Sequence, residues 1–221
     1  MRHALAAKLT AAVQPHDLLC HPFYRAWSAG ALTRDDLRGY AAQYQHQVDA
    51  LPALLRAARA HAVDDPAREA LDRNLAEELG EVGPGPHAAL WRAFASALGD
   101  AAPADPLAET CESAQALTRL VASGNVSALA ALWTYEMQTA RVARTKREGL
   151  SAHHGMTGPG LSFFELHEQL DVHHADDLLA ALERACEDDP AKLEQATLAA
   201  AQAAQAQWRF LDGVERVRAA A

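Results

Sequence analysis

Apolar residues recur at every third or fourth position along nearly the whole chain, and no stretch alternates apolar with polar as a strand would. The spacing predicts helices over residues 2–13, 15–29, 33–62, 66–81, 85–99, 106–122, 126–148, 160–186 and 190–218. The punctuation is helical too. Thr33 and Asp36 have the spacing of a capping box. Asp-Asp-Pro at 64–66 offers Asp65 as N-cap and Pro66 as first helical residue, and Ala-Asp-Pro at 104–106 and Asp-Asp-Pro at 188–190 repeat the device. Ser-Gly-Asn at 123–125 separates two helices. The longest expected loop is 149–160. The alanine- and glutamine-rich run at 196–208 reads as a packed final helix with one buried face. The expectation is an all-α chain folded as a single domain over 1–221.

Composition narrows the function. The 221 residues are half hydrophobic, enough for a substantial core. The net charge of −9 and the lack of a basic cluster exclude nucleic acid and anionic membranes as expected partners. Cys20, Cys111 and Cys186 are scattered and odd in number, which fits a reducing cytoplasm better than a disulfide framework. Lys8 interrupts the N-terminal apolar run where a signal peptide would need continuity. No segment reaches 18 uncharged apolar residues.

Polar residues interrupt the apolar faces at three places. In Glu-Leu-His-Glu-Gln-Leu-Asp-Val-His-His, His167, Asp171 and His174 fall at i, i+4 and i+7, within roughly a 60° arc of one helix. Phe163, Leu170, Leu178 and Leu182 continue that side. His173 points away by about 100°. Glu136 falls in a stripe made by Val126, Leu129, Trp133, Ala140 and Ala143, where a lone carboxylate is costly. An arginine from another helix is the plain alternative. Around one helix end stand Glu77, Glu78, Glu81 and His87, and periodicity does not choose between Glu77 and Glu78. Together these segments supply three carboxylates and three imidazoles, a set that suits two Fe(II) or Mn(II) ions in a helical bundle. The chain has no Gly-x-Ser-x-Gly, Walker A, Gly-x-Gly-x-x-Gly or His-Glu-x-x-His.

These motifs resemble the haem-oxygenase-like di-metal oxidases, in the branch of the chlamydial death-domain-associating protein CADD. The resemblance is carried by His-Pro-Phe-Tyr-Arg-Ala-Trp from 21, the segment 31–52, Asn-Leu-Ala-Glu-Glu-Leu-Gly from 74 with Pro-His at 86–87, Tyr-Glu-Met-Gln through Lys-Arg-Glu-Gly-Leu at 135–150, and the His-x3-Asp-x2-His helix. It implies a bundle of about seven helices. It implies metal ligands at Glu77, His87, Glu136, His167, Asp171 and His174, taking the first glutamate of the Glu-Glu run. The gap from Glu77 to His87 is longer here than in the chlamydial protein.

Members of this branch are similar to p-aminobenzoate synthases that use O2, a reduced iron or iron–manganese pair and an external reductant. They consume their own side chains to make a folate precursor. The resemblance then implies Tyr24 or Tyr40 as the ring source and Lys146 as amino donor. Lys146 follows Glu136 by ten residues, about 15 Å along the helix and turned some 80°. An unidentified electron donor is expected as a partner, and the fold often forms homodimers. Three other readings stand beside this one: oxidation of a separate small amine or fatty acid, a metal-free enzyme resembling PqqC or TenA, and a non-enzymatic interaction protein.

Overall fold

A computed structural model of the chain describes residues 2–99, 104–187 and 189–220. Among them are nine α-helices and no strand. These are α1 (Arg2–Val13), α2 (Pro22–Ser28), α3 (Arg34–His61), α4 (Asp65–Glu78), α5 (His87–Ala97), α6 (Ala108–Ala122), α7 (Asn125–His154), α8 (Ser162–Cys186) and α9 (Pro190–Ala220). The all-α expectation holds, with nine helices where the resemblance implied about seven.

Local chemistry explains most boundaries. Thr33 and Asp36 form the expected capping box. Helix α4 is capped one residue earlier than expected: Asp64, not Asp65, accepts from the Ala67 amide at 2.7 Å. Asp189 accepts from the amides of Ala191 and Lys192 and starts α9. The Asp105-Pro106 pair does not start α6, which begins at Ala108 behind Leu107. The helix expected over 15–29 is broken. Short 3₁₀ turns cover Gln14–His16 and Leu18–Cys20, and the backbone is extended at Asp17 and at His21 before Pro22. Helix α7 runs past its expected end to His154, so the loop expected from 149 begins only at Gly155, in the left-handed conformation. Helix α4 stops at Glu78, ahead of Gly80. There φ is +73° and a Cβ would lie 2.2 Å from the Pro86 nitrogen, so only glycine fits.

The centre of the bundle is α7. Every residue from Val126 to Glu136 is buried, as required of a helix that is apolar all round. It packs most extensively on α8, then on α9. The core has two parts. One, rich in alanine and leucine, joins α1, the second half of α3, α4, α6, α9, the first half of α7 and the last third of α8. The other, rich in aromatic rings, joins α2, the first half of α3, α5, the second half of α7, the start of α8 and the second half of α9. The apolar series passes from Tyr135 to Val142 on α7 and from Phe164 to Leu178 on α8. Buried polar residues fill the two intervals, so a polar layer lies where the two apolar cores meet.

Candidate metal centre and tyrosine–lysine cluster

Two buried triads occupy that layer: Glu78, His87 and His167, and Glu136, Asp171 and His174. Within each, the ligand atoms lie within 4.8 Å of one another. His87, Glu136, His167, Asp171 and His174 of the expected set fall in these triads; the structure groups Glu78, rather than Glu77, with His87 and His167, and Glu77 lies against His174. Adjacent residues on a helix point about 100° apart. Glu78 continues the buried face of Ala67, Leu71 and Asn74, at steps of four, three and four. That stripe was present in the sequence, but half-buried Leu75 blurred its edge.

Oε1 of Glu78 lies 2.7 Å from Nδ1 of His87 and 3.9 Å from Nε2 of His167. His167 donates from Nδ1 to the Phe163 carbonyl at 2.7 Å, which leaves Nε2 with its lone pair toward Glu78. The Phe163 ring stacks on it at 3.9 Å. Burial alone would raise the Glu78 pKa, but the neighbouring imidazoles of His167 and His87 outweigh it and bring it down to about 2.

In the second triad, Nδ1 of His174 stands 3.7 Å from Glu136 and 3.9 Å from Asp171. Its Nε2 donates to Glu77 at 2.6 Å. Burial opposes the charge on His174, yet Glu136 and Glu77 outweigh it and lift the pKa to about 9. Asn74, not an arginine, holds Glu136, donating at 2.8 Å. Burial, and then the charges of Glu136, Glu78 and Glu77, push Asp171 well above the usual carboxyl range. His173 is exposed, as its angle predicted.

This set fits metal ions. Asp171 Oδ2 and His174 Nδ1 are buried with no hydrogen-bond partner, an expensive arrangement unless a cation meets them. Among the described residues, no lysine or arginine makes an ion pair with Glu77, Glu78, Glu136 or Asp171. Mixed carboxylate and imidazole donors suit iron or manganese.

On the aromatic side of the layer lies a second cluster. Lys146 is buried with its Nζ donating to the Tyr40 hydroxyl at 2.5 Å, and Tyr40 bonds Tyr24 hydroxyl to hydroxyl at 3.0 Å. The rings of Tyr24, Trp27, Tyr40, Tyr44, Trp91 and Phe164 all lie within 6.0 Å of Nζ. Burial pulls the Lys146 pKa well below its usual value, against a smaller opposing pull from Asp171. Burial also raises the phenols of Tyr24 and Tyr40.

Two tyrosines escaped the sequence reading. Tyr44 and Tyr135 pair at 2.9 Å, and the ring of Tyr44 stacks on Tyr40 with centroids 5.5 Å apart. Burial raises both phenols, with the charges of Glu78 and Glu136 adding to it, and the Tyr44 ring lies 4.7 Å from Lys146 Nζ. The signals were Tyr44 one turn beyond Tyr40 and Tyr135 beside Glu136.

Comparison with known proteins agrees with this geometry. Residues 38–208 match the haem-oxygenase-like family described as iron-containing redox enzymes. A 4-aminobenzoate synthase of Nitrosomonas europaea is 38% identical over 218 residues, covering 91% of this chain and 87% of its own. That of Chlamydia muridarum is 35% identical over 211 residues, covering 93% and 87%. Among solved structures, a TenA homologue from Pseudomonas syringae superposes with a TM-score of 0.81 at 16% identity, over 96% of this chain and 93% of that one. A CADD-like protein of unknown function from Nostoc punctiforme gives 0.75 at 16%, over 95% and 98%. Two buried carboxylate–imidazole triads in an all-helical bundle, and a family match over most of the length, lead to one statement: the chain belongs to the haem-oxygenase-like family of iron-containing redox enzymes.

Proposed function

We propose that this protein is a di-metal, O2-dependent oxygenase that forms p-aminobenzoate for folate synthesis from its own side chains, Tyr24 or Tyr40 giving the ring and Lys146 the nitrogen. The observation that carries the reading is the shared pocket of Lys146, Tyr40 and Tyr24, linked hydroxyl to hydroxyl to amine beside the two triads. The names of the relatives support it.

Glu78, His87 and His167 would hold one ion, and Glu136, Asp171 and His174 the other, as an iron pair or iron with manganese. The bound ions would supply the redox chemistry with O2, fed by an external electron donor. The chain's own residues do the rest. Glu77 fixes the His174 ring, leaving Nδ1 for the centre. Burial in the aromatic box favours the free amine of Lys146, the nucleophilic form. Tyr40 holds that amine beside Tyr24. Because α2 to α5, α7 and α8 all contribute, we treat the 221 residues as one functional unit. No described helix is long and apolar enough to cross a membrane, which is compatible with the proposed cytoplasmic location.

The test is reconstitution under argon with Fe(II) and Mn(II), then O2 and a reductant, using protein grown on ring-labelled tyrosine. Labelled p-aminobenzoate at no more than about one per chain is expected, lost in Lys146→Met and in Tyr24→Phe or Tyr40→Phe. Unlabelled product, or wild-type yield from Tyr24→Phe, Tyr40→Phe and Lys146→Met alike, would sink the self-consuming reaction.

A further inference from the structure

Next to the tyrosine–lysine cluster is a small cavity of about 20 Å³. Its polar walls are Tyr24, Tyr44, Gln47, Thr139, Lys146 and Gln207. Space of about 10–15 Å³ on the same measure is enough for one water molecule. Most of the polar atoms around it already have partners. Thr139 donates to the Tyr135 carbonyl at 2.7 Å. Gln207 Oε1 accepts from Gln138 at 3.0 Å, and Gln138 in turn accepts from the Leu18 amide. Gln47 is the exception: its side chain is buried and its Nε2 has no acceptor. A buried donor left bare is costly to the fold.

We propose that this cavity is a binding site for one water molecule, held between the amide of Gln47 and the amine of Lys146. Dioxygen would fit by size but is a poor acceptor for an amide donor, and apolar cavities rather than polar ones stay dry. Water also answers a need particular to Lys146. It accepts from an ammonium and donates to a free amine, so Lys146 keeps a hydrogen bond in both charge states. Gln47 is thereby a positioning residue: it holds the water that holds the amine. The water site stands on the cavity alone; only the consequence for Lys146 chemistry rests on the proposed function.

The experiment is a high-resolution crystal structure of the metal-loaded wild type, of Gln47→Met, which keeps length but removes the donor, and of Gln47→Asn, which keeps the amide. A density peak within hydrogen-bond distance of both Gln47 Nε2 and Lys146 Nζ is expected in the wild type, retained in Gln47→Asn and absent in Gln47→Met. Val142 also lines the cavity, and Val142→Ile, which adds a methyl group there, should expel the water even if Gln47→Met fails to fold. An empty cavity in the wild type overturns the proposal, and so does a peak unmoved in Gln47→Met. With two metals per chain in each variant, p-aminobenzoate yield should fall several-fold in Gln47→Met and recover in Gln47→Asn. Equal yields would remove Gln47's positioning role. A wild type that makes no p-aminobenzoate would count against the proposed function, while the density would still decide the water.

Discussion

Lys146 donates to the hydroxyl of Tyr40 from inside a closed aromatic box, with no carboxylate in ion-pair contact among the described residues. A buried amine costs folding energy unless it is neutral or paired. In metal-free protein, Lys146→Met should therefore raise stability by about 1–3 kcal/mol while abolishing p-aminobenzoate formation. The gain should shrink with rising pH. The folded pKa of Lys146 lies below the unfolded one, so the unfolded chain holds the extra proton between the two. Wild-type stability from this group rises across that window and the penalty vanishes above it. Urea midpoints of both proteins at pH 7 and pH 9 check this. An advantage that stays constant with pH would refute it.

Glu77 and Glu78 should separate cleanly in metal content. Glu78→Gln removes a ligand from the first triad, and elemental analysis after Fe(II) and Mn(II) loading should find close to one ion fewer per chain. Glu77→Gln leaves both triads whole and only loosens His174. Two ions should remain, with affinity lower by roughly 10–100-fold at one site. The reverse pattern would restore Glu77 as the ligand.

How far the sequence carried this far is visible in those two residues. Burial periodicity found the face of α8 outright, because His167, Asp171 and His174 sit on one helix among leucines. It could not separate Glu77 from Glu78, because α4 ends there and the stripe loses its last turn. His87 stood among the candidates around that helix end, but its partner Glu78 lies across a loop whose path depends on Gly80. Nothing in a one-dimensional pattern shows that Tyr44 of α3 and Tyr135 of α7 meet hydroxyl to hydroxyl. The helix expected over 15–29 is interrupted where Pro15 sits in a 3₁₀ turn and Pro22 starts α2.

Binding of metal should release protons, and His174 sets how many. In metal-free protein its pKa near 9 means the ring is mostly charged at pH 7. An ion that takes Nδ1 must displace that proton, so affinity should climb from pH 6.5 toward pH 9. The linkage runs the other way for metal-free folding: stability from this group is full below pH 6.5 and lost as pH rises through 9. Titration calorimetry with Mn(II) in two buffers of different ionisation enthalpy counts the protons. Glu77→Gln removes one of the carboxylates that hold the charge, so its count at pH 7 should be smaller. An unchanged count would show that Glu77 does not govern His174.

Two helix glycines should respond in opposite directions to the same substitution. Gly39 is exposed on α3, and a Cβ there meets nothing within 4 Å. Gly39→Ala should gain about 1 kcal/mol from helix propensity. Gly149 on α7 faces Trp27: a Cβ would lie 2.7 Å from its Cδ1 and 3.2 Å from its carbonyl oxygen. Trp27 cannot simply turn aside, because it is buried and donates to the Lys146 carbonyl at 3.2 Å. Overpacking of this kind costs about 1–3 kcal/mol, which exceeds or cancels the propensity gain. Gly149→Ala should therefore lower the melting temperature where Gly39→Ala raises it. Tyr24 precedes Trp27 by one turn of α2, so the displaced helix should also carry the phenol away from Tyr40. Metal content should stay at the wild-type level while p-aminobenzoate yield falls. If Gly149→Ala is as stable and productive as Gly39→Ala, the close approach of α2 to α7 does not position Tyr24.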